Sequence, residues 1–279
     1  MSFLASDANT LIRDLWPAWL PRLARDVVGP VAERTGLVPA TSDALDAWCY
    51  VYWDREANSD PSRCSRLVYA MPGTLDTVRE VIVRLQGFVN VVDIRTLGNW
   101  RNTTEVSPSQ AVQRLELRCG HGRHAFDEQL KAVRAIESRI FRKFRREYRS
   151  EHSDLLRMER KVFGKVGPFM AKAGISLTDK DDPSGAARRL STQWRVMDRI
   201  RVGLQRDGKV VPCPPEVIKK GDWVDVRASF DIMTFRKGNG QRVELLSHAE
   251  VSTVMPRDID DFADDGFTFD DESGGGMEL

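Results

Sequence analysis

The cleanest alternation of apolar and polar positions lies near the C-terminus. Val224, Val226, Ala228, Phe230 and Ile232 interleave with Asp225, Arg227, Ser229, Asp231 and Met233. A period of two is expected of a strand with one buried face. Val243, Leu245, Ser247, Ala249 and Val251 repeat the pattern. Gly238-Asn239-Gly240 between them supplies the positive φ angles of a tight loop. The two segments therefore predict a hairpin, with Arg236 and Lys237 at its tip and Phe230 toward the core.

Elsewhere the apolar residues recur at helical intervals. A cap at Ser6 or Asp7 predicts a helix through Ile12 and Leu15 that Pro17 ends. Leu45, Trp48, Cys49 and Tyr52 predict a second helix over 42–53. Arg66–Met71 reads as a strand. Thr74–Gln86 reads as a helix carrying Leu75, Val78, Ile82 and Leu85, with Thr74 as cap and Gly87 as stop. Phe88–Ile94 is strand-like again, which makes a β-α-β unit. Ala111–Cys119 predicts a third strand.

From Phe126 to about Val166 the stepping is helical: Val133, Ile136, Ile140, Phe144 and Tyr148, then Leu155, Met158, Val162 and Val166. A break near 150–154 keeps this within ordinary helix lengths. Thr178–Gly185 is polar and rich in turn formers, and marks a boundary. Ala186–Leu204 predicts a further helix. The expected fold is α+β in three parts. Residues 1–177 form a helical and β-α-β domain ending in a long basic helix. Residues 186–257 form an antiparallel β-rich, barrel-like module, and 258–279 an acidic disordered tail.

Charge sharpens this picture. The chain has 42 Lys and Arg against 41 Asp and Glu, but residues 258–279 hold nine acids and no Lys or Arg. The remaining 32 acids leave residues 1–257 with a net charge of +10. Residues 131–165 alone carry twelve bases against five acids, with Phe141, Phe144 and Tyr148 interleaved. Such polarity suits a protein that handles a polyanion. The same helix also reads as a solvated amphipathic face, since Arg134 with Glu137 and Lys143 with Glu147 have the spacing of intrahelical pairs.

No apolar run approaches the roughly 20 residues that span a bilayer. The N-terminus lacks the basic start of a signal peptide. The four cysteines are scattered, so reduced thiols and an intracellular location, nucleus or cytoplasm, are expected. Arg142-Lys143-Phe144-Arg145-Arg146 reads either as a basic import signal or as part of a charged helix face.

Lys219-Lys220-Gly221-Asp222 before Trp223 has the form of a turn entering a long strand. Residues 215–255 resemble uncharacterised proteins of mushroom-forming fungi, a likeness that carries no function. An OB-type barrel followed by an acidic tail is also similar to single-strand DNA-binding modules. That resemblance implies an oligonucleotide lying across a basic sheet with aromatic platforms, and a tail that recruits partners. It would use Trp223, Phe230 and Phe235 for stacking, against which stands the place of Phe230 on the apolar face, and Arg227, Arg236, Lys237 and Arg242 for phosphate contacts. The basic helix adds Arg142, Lys143, Arg145, Arg146 and Arg149.

Cys119, His121 and His124 form the one metal-like cluster, a zinc site if Cys49 or Cys64 completed it, although the usual Cys-x-x-Cys pair is absent. No phosphate loop or nucleophile motif marks an enzyme. The expected function is binding of single-stranded or structured DNA or RNA, with the acidic tail competing for the basic surface or engaging a protein partner. The rival expectation is a protein–protein adaptor.

Overall fold

The computed structural model describes residues 3–4, 11–20, 37–39, 42–53, 64–70, 79–101, 106–144, 154–166, 174–197, 199–206, 209–237 and 240–255. It is a mixed helix and strand fold built on a curled, largely antiparallel sheet. Three strands of this sheet come early: β3 (Cys49–Trp53), β4 (Cys64–Tyr69) and β5 (Ile82–Asp93). β6 (Val112–Arg118) and β7 (Leu156–Lys161) follow on either side of the long helix α3 (Arg123–Lys143). β10 (Val202–Arg206), β11 (Lys209–Pro212), β12 (Trp223–Lys237) and β13 (Gly240–Met255) complete it.

The order is β11-β10-β13-β12-β5-β6-β7, with β3 on β4 and β4 on the far half of β12. β12 is thus the central strand. β13 lies along one edge, and β5 and then β4 along the other. The sheet curls enough to bring β7 alongside β13. Strands from both sides of the expected boundary at 178–185 share this one sheet.

The predicted hairpin is present, and its register runs from Trp223↔Met255 to Lys237↔Gly240. The predicted strand over 111–119 is β6. The β-α-β unit is not formed as expected: residues 82–86 belong to β5, and Gly87 lies inside that strand. The helical spacing there is coincidental. β5 is buried on both faces through Val89, so Arg84 and Gln86 are covered as well as Val83 and Leu85, and polarity no longer reports exposure there. Residues 71–78 lie outside the described residues.

Helix α2 (Ser42–Trp48) stops where Cys49–Trp53 turns into a strand of β-favouring residues. The long helix ends at Lys143. Residues 156–161 are strand β7, with Leu156, Met158 and Arg160 buried on one side. Residues 186–204 hold a single helical turn, α4 (Ala186–Arg189), and then strands β9 (Trp194–Val196) and β10. α1 (Ile12–Leu15) ends at Trp16, whose extended backbone (φ −70°, ψ 149°) is what a following proline demands. Two short pairs flank the sheet. β1 (Phe3–Leu4) joins β2 (Leu37–Val38), and β8 (Phe163–Lys165) joins β9.

Cross-strand pairing assigns the faces. Val83 and Leu85 of β5 sit opposite Ala228 and Val226 of β12, and Leu117 of β6 sits opposite Val89 and Leu156. All of these are buried. α3 packs on this apolar face with Phe126, Leu130, Val133, Ile136 and Ile140. Gly87 is the crossing point: a Cβ there would lie 3.2 Å from the Phe126 ring and 3.1 Å from Leu117. Phe230 is in the core, 3 % exposed. Each fully buried Ile or Phe contributes about 1.5–3 kcal/mol, so Ile136→Ala would break the helix seat at a cost of ~2–5 kcal/mol.

α3 also supplies a polar fastening. The Gln86 N–H donates to Gln129 Oε1 (2.8 Å), and Gln129 Nε2 donates to the Gln86 carbonyl (2.7 Å). β6 pairs with β5 only from Phe88 onward. The Gln129 amide therefore stands in for a strand on the edge that β6 leaves open. A satellite core of Trp100, Ala111, Val162, Phe163, Ala186, Ala187 and Val196 holds the 174–197 segment.

Candidate nucleic-acid interface

α3 and β12 run in the same direction along the molecule, which sets the levels of the expected basic residues. At one end Phe126 sits on Gly87, which pairs with Val224. Further along, Arg139 Nη2 donates to the Cys49 carbonyl (2.7 Å), and its Nε donates to the Leu45 carbonyl (3.2 Å). Its Nη1 meets the Asp46 carboxylate at 2.8 Å. One guanidinium therefore closes the C-terminal end of α2, whose own last turn has no basic residue.

Arg142 and Lys143 follow in the last turn of α3 and are exposed. Cys49 heads β3, which is paired to β4, and β4 accompanies β12 as far as Met233. Past Met233, β12 pairs only with β13 among the described residues, through Thr234↔Val243, Phe235↔Arg242, Arg236↔Gln241 and Lys237↔Gly240. This is a two-stranded arm about 13 Å long at 3.4 Å per residue. The backbone positions of Arg236, Lys237 and Arg242 lie on it, beyond the end that carries Arg142 and Lys143. Arg145, Arg146, Arg149, the tip Gly238-Asn239 and the tail 258–279 lie outside the described residues.

Trp223, expected as a stacking platform, is a correction. It is 6 % exposed. Its ring is occupied by Trp16 at 4.5 Å and Phe88 at 5.1 Å. The first residue of β12 is covered because α1 and its following turn fold over that rim. Arg227 is half-buried, opposite Arg84 on β5 and Glu250 on β13.

The sheet's second face holds charged groups that carry no local sequence signal. Asp225 accepts from Arg84 Nε at 2.6 and 2.7 Å and from Gln86 Nε2 at 2.7 Å, and all three side chains are buried. Nearby, Glu116 accepts from Arg114, from Arg157 (2.9 Å) and from Asn90 (3.3 Å). Burial works to raise the Glu116 carboxyl, but the donors from Arg114 and Arg157 outweigh it and hold it below its ordinary 4.5. Asp225 balances Arg84, and Glu116 together with Glu159, which lies 3.8 Å from Arg114, balances Arg114 and Arg157; Arg227 sits beside Arg84 on this face.

Cys119, His121 and His124 pass around the turn into α3. No three His, Cys, Asp or Glu side chains among the described residues are grouped to hold a metal ion. Instead His121 meets Phe88 (6.1 Å) and the exposed Trp19 (6.0 Å), both edge to face. Gly120 (φ +51°) and Gly122 lie so close to Phe88 and Trp16 that a Cβ on either would be 2.1 Å from the ring. The turn is therefore pressed onto the aromatic rim, with His121 directed outward. No described helix is long and apolar enough to cross a membrane. Comparison with protein-family models, with curated proteins and with solved structures finds no match to this chain.

Proposed function

We propose that this protein binds single-stranded or structured nucleic acid through the end of the molecule where α3 stops and the β12–β13 arm projects. The observation that carries the reading is the common end. Arg142 and Lys143 are exposed in the last turn of α3. Arg236, Lys237 and Arg242 occupy backbone positions on an arm that outruns β4 in the same direction. Affinity would come from phosphate neutralisation and counterion release. The buried Trp223 removes the expected base platform, so little sequence preference follows. The acidic tail, residues 258–279, would lower binding by competing for cationic surface.

The test is binding of labelled single- and double-stranded oligonucleotides across a salt series, with and without residues 258–279. Affinity that falls steeply with salt, rises on tail removal and drops in Arg142→Glu/Lys143→Glu supports the reading. No binding of either protein at about 50 mM salt ends it. A second reading, a protein–protein adaptor, has one observation in its favour. Among the described residues, β10 meets β13 only at Val251 and Val254. Over 240–250 the outer edge of β13 has no hydrogen-bonded strand among the described residues, although β7 lies alongside β13, so a partner strand could add there only by entering beside β7.

A further inference from the structure

We propose that the acidic tail docks back on its own chain, on a cationic aromatic rim at the opposite end of the sheet from the hairpin tip. The rim consists of Arg118, Arg123, Lys219 and Lys220 around the exposed pair Trp19 and His121. The inference does not depend on nucleic-acid binding, and any competition at the α3 end is left to the fraction of tails not docked here.

The exit point of the chain is the first argument. Met255, the last residue of β13, pairs with Trp223; Trp223 pairs with Phe88, and Phe88 with Arg118. These four residues form one row across β13, β12, β5 and β6. Three strand spacings separate its ends, about 14 Å. Four extended residues span about the same distance. Asp258, Asp260 and Asp261 therefore come within reach of Arg118 as soon as the chain leaves the sheet.

Charge is the second. Arg118, Lys219 and Lys220 are exposed and make no ion pair or side-chain hydrogen bond among the described residues. The lysine turn is fastened beside the row, because Gly221 N–H donates to the Val89 carbonyl and Val89 N–H to the Asp222 carbonyl, both at 2.8 Å. Among the described residues Arg123 makes only a long surface contact with Asp127, 3.6 Å, with both side chains exposed. The tail brings nine acids and no base.

Aromatic surface is the third. Trp19 is 56 % exposed, the largest value for a large hydrophobic side chain among the described residues, and His121 holds its edge. The tail interleaves Phe262, Phe267 and Phe269 with its carboxylates. An acidic segment with spaced phenylalanines matches cations set around an exposed indole. The tether makes weak contacts sufficient. A short linker gives an effective concentration on the order of mM, so an intrinsic dissociation constant near ~1 mM already leaves the tail docked about half of the time.

The experiment compares hydrogen exchange in the full-length protein and in a full-length variant with Asp258, Asp260, Asp261, Asp264 and Asp265 changed to Asn. Peptides covering 17–20 and 118–124 are read, with melting curves showing that both proteins are folded. In the native chain these two segments should exchange about two- to tenfold more slowly at low salt. The difference should vanish at about 0.5 M salt. Arg118→Glu/Arg123→Glu with an unchanged tail should abolish it equally. Equal exchange in both proteins overturns the proposal. Protection that fades on dilution assigns the tail to a second copy and overturns the intramolecular contact. Protection that appears only on adding an oligonucleotide, indifferent to the tail, gives the rim to nucleic acid and overturns it as well.

Discussion

Asp225 on β12 grips Arg84 on β5 with both carboxylate oxygens, at 2.6 and 2.7 Å, although 141 residues separate them in the chain. The pair is buried, with side-chain exposures of 4 % and 3 %. Desolvating two charges offsets most of what their attraction contributes, so the intact pair adds little net stability. Losing one partner is different, because the other charge stays buried. Asp225→Ala should therefore cost ~3–5 kcal/mol, whereas the double change Arg84→Met/Asp225→Leu should cost far less. Urea unfolding of both variants checks this. A double mutant as unstable as the single would show that the pair itself carries the stability.

The Gln129 amide makes a prediction of its own kind. Gln129→Leu keeps the volume and removes both bonds to the Gln86 backbone, leaving a buried N–H and C=O without partners. Each orphaned group costs about 1–3 kcal/mol, so a loss of ~2–6 kcal/mol is expected, read as a lower urea midpoint at unchanged m-value. Gln129→Glu retains an acceptor for the Gln86 N–H but loses the donor. It should restore nothing at neutral pH, where it buries a charge.

Acid should unfold this protein through identifiable carboxylates. For Asp181, burial opposes ionisation, but hydrogen bonds from Thr178 and Thr96 and the nearby Arg199 hold its carboxyl below the ordinary 3.8. Glu116 is likewise held below 4.5. A depressed folded-state pKa contributes stability that is present above the unfolded value and is lost as pH falls through the folded value. Stability should be flat from about pH 7 to pH 5 as far as these two groups are concerned, and fall below about pH 4. Glu116→Gln should lower stability at pH 7 and flatten the acid limb. Thermal melts at half-unit pH intervals measure both.

Cysteine chemistry should discriminate sites in the folded state. Burial pushes the Cys49 thiol up to about 11, although Arg139 works against it. Its Sγ lies 3.5 Å from the Leu45 carbonyl. At pH 8 almost no thiolate is present there, and thiolate is the reactive form. Iodoacetamide on the native protein should leave Cys49 unmodified, as found by peptide mass spectrometry, and denaturant should expose it. Rapid native labelling of Cys49 would contradict its burial.

The hairpin and β6 were legible because one face of each is apolar in strict alternation or nearly so. Where both faces are covered, the signal inverts. Leu75, Val78, Ile82 and Leu85 satisfy a helical spacing, while Arg84 and Gln86, which sequence alone would place on a solvated face, are buried by partners far along the chain. Residues 155–166 fail for another reason. Leu156 and Met158 alternate, but Leu155, Met158 and Val162 fit a helix equally well, and no Gly or Pro lies between them to decide. Of the expected binding residues, the bases could be counted from sequence but not placed. Trp223 could not be known to be covered, since Trp16 and Phe88 reach it across more than a hundred residues.

β12 as the central strand has a consequence for how the chain is made. β4 and β5 present their pairing edges to residues 223–233. A ribosome that has released the first two hundred residues has thus produced two strands that can pair with β3 and β6 on one edge but have no partner for the other. Such non-local pairing slows folding and leaves sticky edges waiting. A chain halted before Trp223 should be held by chaperones or aggregate, and the final quarter acts as the keystone that lets the earlier strands close.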